Sequence, residues 1–286
     1  MKRFYDIPGT LNVNTDPYFY DSTICPNFLM LYEKFKNTII KEAEGTSPVT
    51  YIHFGDGDYY FLTKQAVGSA FPGRRAISLP YDKIDMVPHL EGVLKNDHVT
   101  AELSPVLRGH FHEIFHNVEP DVPTEFIYGS VANNWFFQQF KGKIGVLGAA
   151  EKVNIIRKLM NYPKYQEYLG IERFEDYITI PQKFAADNVD ETEKMVAAQL
   201  TEAKSRVFLY GVGHAKNALI HRLRKHHNAV YVDVGGGIDM IAGIVNYERP
   251  YAAGWINHQI CDYDYSGVDF MHFKHQPTDR ILPCRK

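Results

Sequence analysis

Three short runs in this chain set glycine beside groups that bind phosphate or metal. The first is Gly211-Val212-Gly213-His214-Ala215-Lys216. Two glycines let a backbone turn tightly and approach an anion, and the free amides at the start of a following helix face it. Lys216 would add a charge. Asp233 lies roughly 20 residues further on, where dinucleotide folds place a ribose-binding acid. Lys216 stands where the third glycine of that fingerprint belongs, which argues against a conventional NAD site. A tight strand-to-helix turn with no ligand would use the same glycines.

The second run is Gly55-Asp56-Gly57-Asp58. Two carboxylates two residues apart, at a strand end made compliant by glycine, can reach one hard divalent cation such as Mg²⁺ or Mn²⁺. An isolated Asp-Gly pair is more often a solvated turn. Here the apolar run in front and the aromatic run behind favour a position at the edge of a sheet. The third run, Asp233-Val234-Gly235-Gly236-Gly237-Ile238-Asp239, brings main chain close to some neighbour. Asp239 begins the next helix, and would either cap it or face a cleft as a base.

One competing motif is present. His112-Glu113-Ile114-Phe115-His116 fits the zinc-protease pattern of two histidines on one helical turn with a glutamate between them. The segment is short, lies between Gly109 and Pro120, and has no third-ligand motif downstream. With 13 histidines in the chain a chance match is the preferred reading, and a polar stretch lining a cleft is the expected use.

These runs need elements to hold them. Apolar spacing predicts a helix from Asn27 to Ala43, ending at Gly45. Val49–Phe54 is β-branched and aromatic, hence a strand, and Tyr59–Ala70 can be helical. Residues 71–123 are mixed and punctuated by proline. From Thr124 strands and helices alternate: strand 125–128, helix 134–140, strand 143–148, helix 151–160, strand 177–180, helix 190–204, strand 206–210, helix 215–225 and strand 229–234. Such alternation predicts an α/β fold, a Rossmann-like doubly wound and mainly parallel sheet with helices on both faces. No linker divides the chain, so 1–286 reads as one domain, with 1–24 an irregular lead-in. Each candidate loop then leaves a strand at its carboxyl end, where open parallel sheets bind ligands.

Composition narrows the class. The 286 residues are 45% hydrophobic and 23% charged, with a net charge of −3. No basic field favours a nucleic-acid partner. No window approaches the roughly 18 apolar residues of a membrane span, and the first residues lack a signal peptide's apolar run. Cys25, Cys261 and Cys284 form neither a metal spacing nor an even disulfide set. A cytoplasmic, reduced setting is expected.

Taken together, Tyr51–Asp58 and Arg206–Asp239 resemble the GT-D type glycosyltransferases. In that family a Phe/Tyr-Gly-Asp-Gly-acid segment comes after an early strand. A late strand, glycine turn, helix and strand then end in Asp-hydrophobic-Gly. Glu248-Arg249-Pro250-Tyr251 through Trp255 is also similar to the family's segment after that unit, and the likeness covers roughly a third of the chain. The resemblance implies sugar transfer from a nucleotide-diphosphate-sugar donor, a UDP-sugar first, to a glycan or other hydroxyl acceptor. It also implies a metal held by an Asp-x-Glu pair. Carried over, Asp56 and Asp58 are those acids, the second one methylene shorter than the family's Glu. Gly55, Gly211, Gly213, His214, Lys216 and Asp233 become the nucleotide contacts. Family members often carry a histidine where this chain has Gly236, which leaves Asp239 or His258 for the catalytic base. A homodimer stays open. Two other readings remain: an S-adenosylmethionine methyltransferase or NAD-dependent enzyme with Asp233 on a ribose, and a non-catalytic nucleotide-binding protein.

Overall fold

The structure is a computed structural model that describes residues 25–66, 81–183 and 185–244, with positions 258, 260, 263 and 268. The lead-in of 1–24, residues 67–70 of the second expected helix, the 248–255 stretch, Cys261 and Cys284 lie outside the described residues.

The first helix, α1 (Phe28–Glu44), buries Phe28, Tyr32, Phe35, Ile39 and Ala43, one stripe at helical spacing. It leads into β1 (Val49–Phe54), α2 (Asp56–Leu62), α3 (Val87–Leu94), β2 (His98–Ala101), α4 (Pro105–Ile114), β3 (Val122–Pro123), α5 (Thr124–Ala132) and α6 (Trp135–Gln139). Then come β4 (Ile144–Ala149), α7 (Ala150–Leu159), α8 (Pro163–Leu169), β5 (Tyr177–Ile180), α9 (Val189–Leu200), β6 (Val207–Gly211), α10 (Lys216–Leu223), β7 (Val230–Asp233) and α11 (Gly237–Ile241).

The strands form one parallel sheet in the order β3-β2-β1-β7-β6-β4-β5. Successive side chains of a strand point to opposite faces, and both faces here are apolar. Val207 and Leu209 of β6, with Val230 and Val232 of β7, join the core beneath α1, α5, α7 and α11. Phe208, Tyr210 and Tyr231 join a second core with Leu219 and Ile220 of α10 and Val196 of α9. Ile52 and Phe54 of β1 meet α2 and Phe111 of α4 in a third. The sheet is therefore doubly wound, as an all-parallel sheet must be to keep both apolar faces dry. Its connections reverse between β4, which runs out to β5, and β6, which runs back to β7. No helix among the described residues is long and apolar enough to cross a membrane.

One predicted strand is corrected. Glu125–Tyr128 lies inside α5, all nine residues of which are buried. A segment buried all round shows no periodicity, and β-branched or aromatic content then misleads. The strand that feeds it is only Val122–Pro123. Three boundaries also move. The second helix starts at Asp56, not Tyr59. The helix expected from Asp190 to Lys204 ends at Leu200. A 3₁₀ turn, Gly213–Ala215, precedes α10.

Helices α3 and α10 pack so closely that a Cβ on Gly92 would stand 2.0 Å from the Asn217 carbonyl oxygen and 3.0 Å from Ala218 Cα. Backbone cannot yield as a side chain does. Gly92→Ala is expected to cost about 1–3 kcal/mol, the usual range for overpacking, read as a lower urea midpoint with unchanged far-ultraviolet circular dichroism.

Candidate functional site

The site is built where β1, β6 and β7 end. Asp58, in the first turn of α2, accepts the Gly55 N–H on Oδ2 at 3.0 Å, which is why the helix begins before the aromatic run. The same oxygen lies 3.0 Å from Lys216 Nζ. Lys216 Nζ is also 3.0 Å from Asp233 Oδ2, and it donates to the His53 carbonyl. Asp233 accepts the His53 N–H at 3.1 Å and the Gly235 N–H at 2.8 Å. Asn217 donates to Asp58 Oδ1 at 3.2 Å. One ammonium thus ties together the ends of β1 and β7 and the starts of α2 and α10.

All three charged groups are buried: Asp58 is 4% exposed, Lys216 6% and Asp233 1%. Burial by itself would raise the Asp58 carboxyl, but Lys216, His214 and the Gly55 N–H outweigh it and hold that carboxyl well below the usual carboxylate range. Burial would lower Lys216, and Asp233 with Asp58 more than reverses this. Asp233 bears the cost of two carboxylates sharing one ammonium. Burial, and the charge of Asp58 beside it, leave it raised despite Lys216.

The ring of His53 extends the polar cluster towards α5. Thr124 donates to Thr100 at 3.1 Å, so His53 Nδ1–H donates to Thr124 Oγ1 at 2.8 Å. Its Nε2 faces Tyr128 OH at 3.2 Å. A Cβ on Gly55 would lie 2.8 Å from His53 Nε2, so Gly55 is small to admit that ring. His53, Thr124 and Tyr128 escaped sequence reasoning, because a histidine within an apolar strand carries no local signal.

The two loops nearest the cluster meet. His214 stacks on Phe61, ring centroids 4.4 Å apart and 1° from parallel. Its Nδ1 is 3.9 Å from Asp58 Oδ1, and its Cε1 would touch a Cβ on Gly57 at 3.6 Å. Both His214 and Asp56 are partly exposed, and Asp56 Oδ1 accepts the Gly57 N–H at 2.8 Å. Gly213 has φ +56° with open space where its Cβ would be, so the turn itself asks for glycine there. Gly211 answers a different need. A Cβ on it would lie 2.4 Å from Ile238 and 2.8 Å from the Gly235 carbonyl. Ile238 also sits over Gly148, so α11 closes down on the crevice between β4 and β6, where the connections reverse.

Other candidates fall into different places. Asp239 is the third residue of α11, not its cap, and pairs with Lys152 of α7 at 2.5 Å. His258 stacks on Tyr168 of α8 at 4.1 Å, and burial brings it down to about 4. Helix α4 ends at Ile114, so His112 and His116 do not share a helical turn. Glu113 instead accepts the Tyr59 hydroxyl, and His112 faces Glu119 at 3.6 Å. Among the described residues no group of three or more His, Cys, Asp or Glu is arranged to hold a metal ion.

Three expectations therefore change. Lys216 was expected to face phosphate and Asp233 a ribose, yet both lie beneath the surface and hold each other. The Mn²⁺ or Mg²⁺ expected between Asp56 and Asp58 does not fit these residues, since the Asp58 oxygens already face Lys216, Asn217 and the Gly55 amide.

No protein-family model matches this chain, and no curated protein matches it. A solved structure described as a new glycosyltransferase (DUF1792) from Streptococcus sanguinis is similar at a TM-score of 0.41 and 15% identity, over 71% of this chain and 80% of that one.

Lys216→Met leaves two buried carboxylates without their cation, which is expected to cost about 3–5 kcal/mol at pH 7.5. The stranded carboxyls acquire folded pKa values above their unfolded value of about 3.9. Their penalty is thus absent at low pH and grows as pH rises. Urea denaturation should accordingly show the gap from the unaltered chain narrowing between pH 7.5 and pH 5.

Proposed function

We propose that this chain is a glycosyltransferase, moving a sugar from a nucleotide-diphosphate-sugar donor, a UDP-sugar first, to a hydroxyl of a glycan acceptor. One observation carries the reading. The β1–α2 loop and the β6–α10 loop, far apart in sequence, are locked together at the carboxyl edge of the sheet by Lys216, with His214 lying over Gly57. That edge offers what a diphosphate needs: a glycine turn whose amides precede a helix, and a partly exposed imidazole beside it.

In this reading the Gly213 and His214 amides and the His214 imidazole take the diphosphate. Asp239, carried by α11 over the β4–β6 crevice, serves as the base for the acceptor hydroxyl, with His258 as the alternative. No step is assigned to a metal. Asp233, 1% exposed and bonded internally, supplies no ribose contact, which counts against the dehydrogenase and methyltransferase readings.

A thermal-shift panel of UDP-, GDP- and dTDP-sugars, NAD and S-adenosylmethionine, followed by a turnover assay, decides among these. A UDP-sugar at about 100 times its Kd should stabilise the chain by roughly 2.7 kcal/mol and be consumed when acceptor is present. His214→Ala should weaken that binding by about tenfold, near 1.4 kcal/mol. A response to NAD or S-adenosylmethionine alone overturns the proposal. Nucleotide binding without turnover would make this a binding protein instead.

A further inference from the structure

We infer that the Lys216 ammonium is the resident cation of this site, standing between Asp58 and Asp233 where a divalent metal would otherwise be bound, so that the pocket takes up no Mn²⁺ or Mg²⁺. An ammonium has three N–H donors and no acceptor. Here there are three oxygens to receive them: Asp58 Oδ2 and Asp233 Oδ2, each at 3.0 Å, and the His53 carbonyl. They come from the start of α2, the end of β7 and the strand β1, a convergence of hard oxygen ligands of the kind that binds magnesium or manganese.

The rest of the pocket suits a lysine in that place. Asn217 points an N–H at Asp58 Oδ1, the Gly55 amide points another at Oδ2, and the Gly235 amide a third at Asp233 Oδ1. With the ammonium on Asp58 Oδ2 and Asp233 Oδ2, these donors cover the directions that remain, and a metal can enter only in the ammonium's place. Mg²⁺ also keeps several waters in its shell, whereas these carboxylates are 4% and 1% exposed. Asp56, the remaining acid of the loop, is turned to the Gly57 N–H.

An anion at the edge feels the result. Bare, Asp58 and Asp233 would repel a diphosphate; the ammonium between them cancels much of that field. It also pins the first residue of α10 to β1 and β7, which holds the preceding 3₁₀ turn and its amides in place. Lys216 is thus a positioning residue whose charge fills the structural role that a metal fills elsewhere. Only the identity of the anion rests on the glycosyltransferase reading.

The test is Mn²⁺ binding to the full chain, followed by electron paramagnetic resonance without any donor, so failure of the sugar-transfer reading leaves the result unmoved. The unaltered chain should show no Mn²⁺ site that Asp58→Asn or Asp233→Asn removes. Lys216→Ala, folded by circular dichroism, should open the acidic pocket and bind Mn²⁺ at least about tenfold more tightly than the unaltered chain. Mn²⁺ held by the unaltered chain and released by Asp58→Asn overturns the inference. A folded Lys216→Ala chain that stays empty at pH 8 overturns it too. If that variant does not fold, the comparison of the unaltered chain with Asp58→Asn still decides.

Discussion

An ammonium taken out of water costs several kcal/mol unless anionic and carbonyl oxygens replace its hydration shell. Lys216 meets that demand with the Asp58 and Asp233 carboxylates and the His53 carbonyl. The arrangement of the carboxyl edge derives from it. Asp58 must lie in the first turn of α2, so α2 begins directly after β1. Asp233 must end β7 next to β1, and the parallel pairing of Thr50 with Tyr231 and Tyr51 with Val232 delivers it there. The carboxylates need the lysine as much as it needs them, and the fold closes around this mutual requirement.

Glycines make the close approaches that the edge requires, each for its own reason. Gly55 admits the His53 ring, and Gly211 admits Ile238 and the Gly235 carbonyl. Gly213, at φ +56° in open space, is there for the turn itself. A glycine-rich loop that looks like a phosphate cradle is thus partly a packing device. The 3₁₀ turn after Gly211 brings Gly213, exposed, and His214, partly exposed, to that edge.

Much of the scaffold was legible in the chain. The strands Val49–Phe54, Ile144–Ala149, Tyr177–Ile180, Val207–Gly211 and Val230–Asp233 announce themselves as apolar, β-branched runs bounded by polar or glycine residues. The alternation with helices called for a parallel sheet covered on both faces. The two glycine loops were legible as strand-end features, and the structure does bring them to one edge. Less legible was residues 81–132. There β3 has only two residues, too few for a periodic signal, and β2, His98-Val99-Thr100-Ala101, carries a single large apolar side chain. The fully buried α5 looks the same from either periodicity.

Local elements and the chemical types at their ends come from the chain alone, because spacing and composition act over a few residues. Which of those groups face each other is a property of the assembled sheet. Lys216 and Asp58 are separated by more than half the chain, as are His53 and Asp233, and no local pattern says that these charges will neutralise one another. The order β3-β2-β1-β7-β6-β4-β5 sets β7 between β1 and β6, and those two adjacencies turn an expected metal ligand, an expected phosphate contact and an expected ribose contact into one buried ion cluster. Charges brought into low dielectric must find partners, and the partners within reach were set by strand order.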